Sequence, residues 1–266
     1  MKVCIVTGAS SGIGLAIATY LGQKGHHVYG ISRSAYSDPW IKHIQADVTD
    51  LNQLKKAYQE IYEIEGRIDV LINNAGMGIS GSIEDTETDD VQKMFDVNFM
   101  GVFHSVKAAL PWMRLTKEGQ IYNISSVAGV LSIPFQSFYS ASKAAINALS
   151  DALHTEVSPY GIQVCAVMPG DIKTGFTKNR RKNKMDSDIY KKRVEKSVKL
   201  MEHDEQNGMD PLIMATTLAK LIQKKRIPLR ITVGFKYKVF VFLSKVLPNR
   251  LVNQLIGSIY GFKKMK

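Results

Sequence analysis

The chain has 266 residues, 45% of them hydrophobic, and a formal net charge of +11. That length and apolar content suffice for one large core, so a single domain is the default. No apolar run approaches the roughly 20 residues of a transmembrane helix, and no basic stretch, apolar core and cleavage site of a secretory signal opens the chain, which argues against spanning or exported classes and predicts a soluble, cytoplasmic protein.

Strand-length apolar stretches alternate with longer segments of helical period. KVCIVT precedes a helix from Ile13 to Lys24, HVYGIS and KHIQAD precede one from Leu51 to Glu65, and IDVLINN precedes a long one from Val91 to Leu115. GQIYNISS precedes a helix from Tyr139 to Tyr160, and GIQVCAVMPG closes the alternation. The pattern predicts an α/β fold, a doubly wound Rossmann-type parallel sheet with helices on both faces. Cys4 and Cys165 sit inside apolar strands and read as small core residues of a reducing compartment, not as a disulfide or metal pair. Near Thr174 the polar, basic run KTGFTKNRRKNKMDSDIYKKR reads as a mobile insertion over one end of the sheet. PLRITVG offers a last strand, with helices from Pro211 to Lys224 and in the tail. The expected organisation is one domain: a cofactor and catalytic core over 1–174, a substrate-loop insertion over 175–210, and a C-terminal strand with a basic helical extension over 211–266.

Charge is unevenly spread. Residues 1–172 hold 12 Lys and Arg against 17 Asp and Glu, whereas residues 173–266 hold 23 against 7. The tail stretch FKYKVFVFLSKVLPNRL interleaves lysines with aromatic and aliphatic residues, which fits either peripheral contact with an anionic membrane or packing against a pocket or subunit. KNRRKNK and the basic tail also permit nucleic-acid contact, but charge alone gives only salt-sensitive, unspecific affinity and no base-reading module accompanies it, so no specific nucleic-acid partner is expected.

Gly8, Gly12 and Gly14 in TGASSGIG follow the first strand and open the first helix. Glycines there allow a tight turn and close approach of backbone N–H groups to a pyrophosphate at a helix N-terminus. The spacing is GxxxGxG, not the GxGxxG dinucleotide fingerprint. The second strand ends in Ser32 and Arg33 with no carboxylate placed to hold two ribose hydroxyls, since Asp38 comes several residues later. An arginine at that point accommodates a 2′-phosphate, a contact of roughly 1.5–3 kcal/mol that favours NADP(H) by about ten- to a hundred-fold; a solvated loop arginine is the alternative. Tyr139 and Lys143 in YSASK lie four positions apart, on one helix face.

Five motifs now stand in order: TGASSGIG, NNAG (Asn73 to Gly76), NISSVAG (Asn123 to Gly129), YSASK, and PGDIKT (Pro169 to Thr174). Together, from about Lys2 to Thr174, they resemble a short-chain dehydrogenase/reductase of the roughly 250-residue type. The resemblance implies catalysis by Asn98, Ser126, Tyr139 and Lys143. Tyr139 would exchange a proton with the substrate oxygen while nicotinamide exchanges a hydride with its carbon. Lys143 would bias Tyr139 towards phenolate and bond the nicotinamide ribose, Ser126 would polarise the substrate oxygen, with Ser125 as runner-up, and Asn98 would support a water leading protons to Lys143. It further implies cofactor contacts from Ser10, Ser11, Ile13, Asp47, Val48, Asn74, Ala75, Gly76, Pro169, Gly170, Ile172 and Thr174 alongside the glycines and Arg33.

Met77, Ile79, Val130, Leu131, Phe135, Phe138 and Phe176 fall in the loops beyond the strand ends, which favours a hydrophobic carbonyl or alcohol substrate such as a steroid, retinoid or long-chain lipid. The family resemblance also implies a homodimer or homotetramer. A catalytically idle NADP-binding sensor is the rival reading, and the complete Asn98, Ser126, Tyr139 and Lys143 set argues against it.

Overall fold

The structure is a computed structural model that describes residues 1–176, 180–183 and 187–260. Residues 177–179, 184–186 and 261–266 lie outside the described ones, and with them parts of the expected insertion and tail.

Strands β1 (Val3–Thr7), β2 (His27–Ser32), β3 (Lys42–Gln45), β4 (Val70–Asn73), β6 (Gly119–Ile124), β7 (Ile162–Pro169) and β9 (Arg230–Val233) form a seven-stranded sheet in the order β3-β2-β1-β4-β6-β7-β9. Every pairing in it is parallel. Two short strands, β5 (Ile79–Ser80) and β8 (Arg181–Lys182), pair separately. The helices are α1 (Gly12–Gln23), α2 (Leu51–Glu65), α3 (Thr88–Phe95), α4 (Gly101–Thr116), α5 (Ser137–Val157), α6 (Asp188–Gln206), α7 (Leu212–Ile222), α8 (Phe235–Val246) and α9 (Asn249–Ile259).

The central strands are predominantly apolar because both faces of the sheet are covered; every residue of β1 and of β4 is buried. Side chains alternate between two cores. Val3 and Ile5 join Leu54, Tyr58, Val106, Ala109, Ile146 and Leu153 beneath α2, α4 and α5. Cys4 and Val6 join Ile17, Leu21, Met214, Leu218 and Leu221 beneath α1 and α7. Cys4 and Cys165 are buried and unpaired, in keeping with core residues. One domain results. Among the described residues no helix is long and apolar enough to cross a membrane.

Local chemistry sets the element ends. The Asp50 carboxylate accepts from the N–H groups of Asn52 and Gln53 to start α2, and Gly66, at φ +69°, ends it. The helix expected from Val91 to Leu115 is α3 and α4 joined by a π-helical turn, Asp96–Met100, in which the Gly101 N–H reaches back five residues to the Asp96 carbonyl. A buried polar chain pins the helices to the sheet. Tyr58 meets Ser105 at 2.7 Å, Ser105 donates to Asn73, Asn73 donates to Asn123 at 2.8 Å, and Asn123 donates to Ser150 on α5 at 2.9 Å. With every link satisfied, such a chain fixes where α5 lies relative to β4 and β6.

Candidate active site

After β3 the chain returns to the other side of β1 to form β4, so the loops leaving β1 and β4 part at the carboxyl end of the sheet. A cleft of about 860 Å³ opens there. Its wall takes Gly8, Ser10, Ser11, Gly12 and Ile13 from the turn before α1, Arg33 after β2, Asp47 and Val48 after β3, and Asn74, Ala75 and Gly76 after β4. Ser126, Tyr139, Lys143, Pro169, Gly170, Ile172 and Thr174 complete it, while Gly14 and Asn98 stand behind the wall.

Gly8 and Gly12 have φ of +68° and +55°, a region that side-chain-bearing residues avoid. Gly14 is required for space: a Cβ there would lie 2.3 Å from the Gly8 carbonyl oxygen. The Asn74 side chain secures the same turn, its Nδ2 donating to the Thr7 and Gly8 carbonyls at 3.1 and 3.3 Å. Ser11 precedes α1 without a side-chain cap, so the helix N-terminus opens into the cleft. Asp47 makes a turn, accepting from the Thr49 N–H and hydroxyl at 2.9 Å each, and still lines the cleft.

Tyr139, Lys143 and Ser126 meet at the inner end. Lys143 Nζ donates to the Ile124 carbonyl at 2.8 Å and lies 5.7 Å from the centroid of the Tyr139 ring. Burial lowers the Lys143 pKa to about 8. Burial raises Tyr139 to about 12, against a smaller downward pull from the Ser126 hydroxyl that faces it. Ser125 also lines the cleft, but its hydroxyl is engaged, donating to the Lys143 carbonyl at 2.9 Å. Asn98 is fully buried in the π turn. Its Oδ1 accepts from the Met77 N–H at 2.8 Å, and its Nδ2 donates to the Met77 carbonyl at 2.9 Å and to Ser142 at 3.1 Å.

Of the seven apolar residues singled out as substrate contacts, Met77 and Phe176 line the cleft. Ile79 is buried in β5. Phe135, at φ +60°, turns to pack edge-on against Tyr190 beside a separate small pocket. Val130, Leu131 and Phe138 are not part of the wall. The wall instead includes residues that the sequence reading missed: Met201, Asp204 and Glu205 from α6, and Tyr260 after α9. Glu205 pairs with the buried Arg180, and Tyr237 donates to Asp171, whose carboxyl is raised mainly by burial. The usable signal was the helical spacing of Val194, Val198 and Met201, all buried, inside a run dominated by charge.

A family model described as short chain dehydrogenase matches residues 2–185. The chain belongs to the short-chain dehydrogenase family. It is 39% identical over 266 residues to a 3-ketodihydrosphingosine reductase of Bacteroides thetaiotaomicron, covering 98% of this chain and 99% of the relative. Among solved structures it resembles a short-chain dehydrogenase from Streptomyces avermitilis, at 34% identity and TM-score 0.82 over 92% of this chain and 93% of that one. It also resembles ElxO with NADP bound, at 29% identity and TM-score 0.75 over 90% and 99% of the two chains. As a short-chain dehydrogenase, the protein is an oxidoreductase that binds a nicotinamide cofactor and acts on a small carbonyl or alcohol substrate. The residues present fit that cofactor: the uncapped α1 N-terminus favours a pyrophosphate, and the glycine turn brings backbone N–H groups to it.

Proposed function

We propose that this short-chain dehydrogenase is an NADP(H)-dependent reductase of lipid-like carbonyl compounds, with Asn98, Ser126, Tyr139 and Lys143 as its catalytic set. The observation that carries the reading is the convergence of Tyr139, Ser126 and Lys143 on one corner of the cleft, with Lys143 buried and the other two half-buried. With a pKa near 12, Tyr139 holds its proton at neutral pH and is ready to donate it to a carbonyl oxygen, the direction a reductase needs. Ser126 polarises that oxygen, and the Lys143 ammonium stabilises the phenolate left behind. Nicotinamide supplies the hydride. A Cβ at Gly76 would lie 3.3 Å from Asn98 Oδ1 and 3.7 Å from Lys143 Nζ, so glycine keeps clear the space between the two, where this reading puts a proton-carrying water.

Preference for NADP(H) is supported by Arg33, exposed on the cleft wall directly after β2. Asp38, the nearest acidic residue, is instead engaged by the Thr19 hydroxyl at 3.0 Å and the Trp40 N–H at 2.8 Å. The ElxO complex with NADP supports the same choice. Substrate class is supported by the Bacteroides relative's name and by Met77, Ile133, Phe176, Met201 and Tyr260 on the wall.

Titration with NADPH and NADH, followed by nicotinamide fluorescence at fixed salt, tests the cofactor. NADPH binding tighter by ten-fold or more supports it; equal or reversed affinities reject it. Oxidation of NADPH in the presence of long-chain keto lipids, against sugars and short keto acids, tests the substrate class.

A further inference from the structure

Helices α8 and α9 carry large apolar residues on their outer sides. Along α8, Phe235, Val239, Phe242 and Val246 recur at spacings of four, three and four, which puts them on one line of the helix. All are exposed, Phe235 at 83% and Phe242 at 63%. Val241 is buried on the opposite side, with Tyr237 and Ser244 half-buried beside it. By helical position Lys238 and Lys245 flank the exposed line on one side and Lys236 on the other, and all three are exposed. On α9, Leu251, Leu255 and Ile259 form a second exposed line at four-residue spacing, while Val252, Ile256 and Tyr260 are half-buried. Apolar exposure of this extent marks an interaction surface.

Charge decides between a second copy of the chain and a bilayer. From Pro211 to Lys266 there are 12 Lys and Arg and no Asp or Glu. A two-fold contact sets a patch against itself, so Lys236, Lys238, Lys245 and Arg250 would be brought together with the same cations of the second copy, with no carboxylate from either helix to pair them. An anionic bilayer meets both needs, with negative headgroups at the level of the lysines and hydrocarbon at the level of Phe242 and Val246. We infer that α8 and α9 dock the protein peripherally on an anionic lipid bilayer.

The same helices adjoin the cleft. Tyr260 lines it, and Tyr237 bonds Asp171 on its wall. Docking therefore holds the cleft beside the phase in which a lipid substrate is dissolved. That consequence rests on the substrate reading above; the docking itself does not.

Co-sedimentation of the full-length protein with phosphatidylcholine vesicles, with and without phosphatidylglycerol, at low and high salt, tests the inference. The expected result is binding that requires phosphatidylglycerol and falls with salt. Phe242→Glu should weaken it at least ten-fold, and Lys238→Gln with Lys245→Gln should weaken it about thirty-fold. Thermal melts check that each variant folds. Should Phe242→Glu fail to fold, the double glutamine variant, which removes only exposed ammonium groups, carries the test. Protein left in the supernatant with every vesicle overturns the inference. So does a lipid-free dimer, seen by sedimentation, that the double variant leaves intact and Phe242→Glu dissociates while vesicle binding is absent. Vesicle binding by a protein that reduces no lipid carbonyl upholds the docking and rejects the substrate reading alone.

Discussion

Lys143 and Tyr139 stand one turn apart on α5, yet their polar groups take different partners. The ammonium donates to the Ile124 carbonyl at 2.8 Å, while the tyrosine hydroxyl faces Ser126. Nζ lies 5.7 Å from the ring centroid, close to the phenol but without a direct bond to its hydroxyl. Lys143 is buried and Tyr139 half-buried beside it, so a charge on either is screened less than in bulk water.

Replacing Tyr139 by Phe removes only the hydroxyl. Turnover should fall by about 10²–10⁴-fold, the range for losing a general acid, with the NADPH dissociation constant changed by less than about three-fold. Steady-state rates beside a fluorescence titration check both. Retention of most of the activity on a true substrate rejects the assignment.

Arg33→Ala should weaken NADPH by about ten- to a hundred-fold and leave NADH nearly unchanged, because only the former presents a 2′-phosphate. A loss shared equally by the two cofactors would show that Arg33 does not read the phosphate.

Lys143 also makes a pH prediction. Its folded-state pKa of about 8 lies below the ordinary lysine value of 10.5. Between those values the unfolded chain binds a proton that the folded one does not, so this residue makes stability rise with pH. Tyr139 acts oppositely, its pKa raised from 10.0, and takes stability away only above about pH 10. In urea melts from pH 8 to 10, wild type should therefore gain about 2 kcal/mol relative to Lys143→Gln. Parallel pH curves would remove the premise of a buried, titrating lysine.

Gly14→Ala places a methyl group 2.3 Å from the Gly8 carbonyl oxygen and 2.4 Å from Asn74 Nδ2. The turn must open, at a cost of about 1–3 kcal/mol, and the α1 N-terminus moves with it. Calorimetry should show a Tm lower by several degrees, and both nicotinamide cofactors should bind at least ten-fold more weakly.

Asn98→Ala leaves the Met77 N–H and carbonyl without their side-chain partners. Each buried polar group so stranded costs about 1–3 kcal/mol. Lower stability in urea, together with a turnover number reduced at least ten-fold and little change in KM, is the expected pattern. Stability loss with full turnover would make Asn98 a scaffold residue alone.

Much of this was legible in the sequence because local rules and tertiary demands coincide there. The run VCIVT reads as a central strand because both of its faces are covered, and the glycine turn reads as a phosphate cradle because it stands between that strand and a helix. The π turn was hidden because Asp96–Met100 sits inside an uninterrupted helical period, and the extra residue per turn leaves no composition mark. Asp204, Glu205 and Tyr260 were hidden for another reason. They reach the cleft through packing of α6 and α9 against distant elements, which no local pattern encodes. Phe135 misled the reading because its apolar character says nothing of the left-handed backbone that turns it towards Tyr190.

The last strand of the sheet has a consequence for biosynthesis. β7 pairs with β9 through Ala166 with Arg230 to Pro169 with Val233, a separation of 64 residues. At about 5–20 residues per second, a ribosome needs roughly 3–13 s to supply the missing neighbour. Throughout that interval the nascent chain presents a bare, strongly apolar strand edge, the kind of template on which chains aggregate. Chaperone cover of β7 during translation is thus worth most in this window, and any message cut short before Val233 yields a product whose sheet edge is never closed.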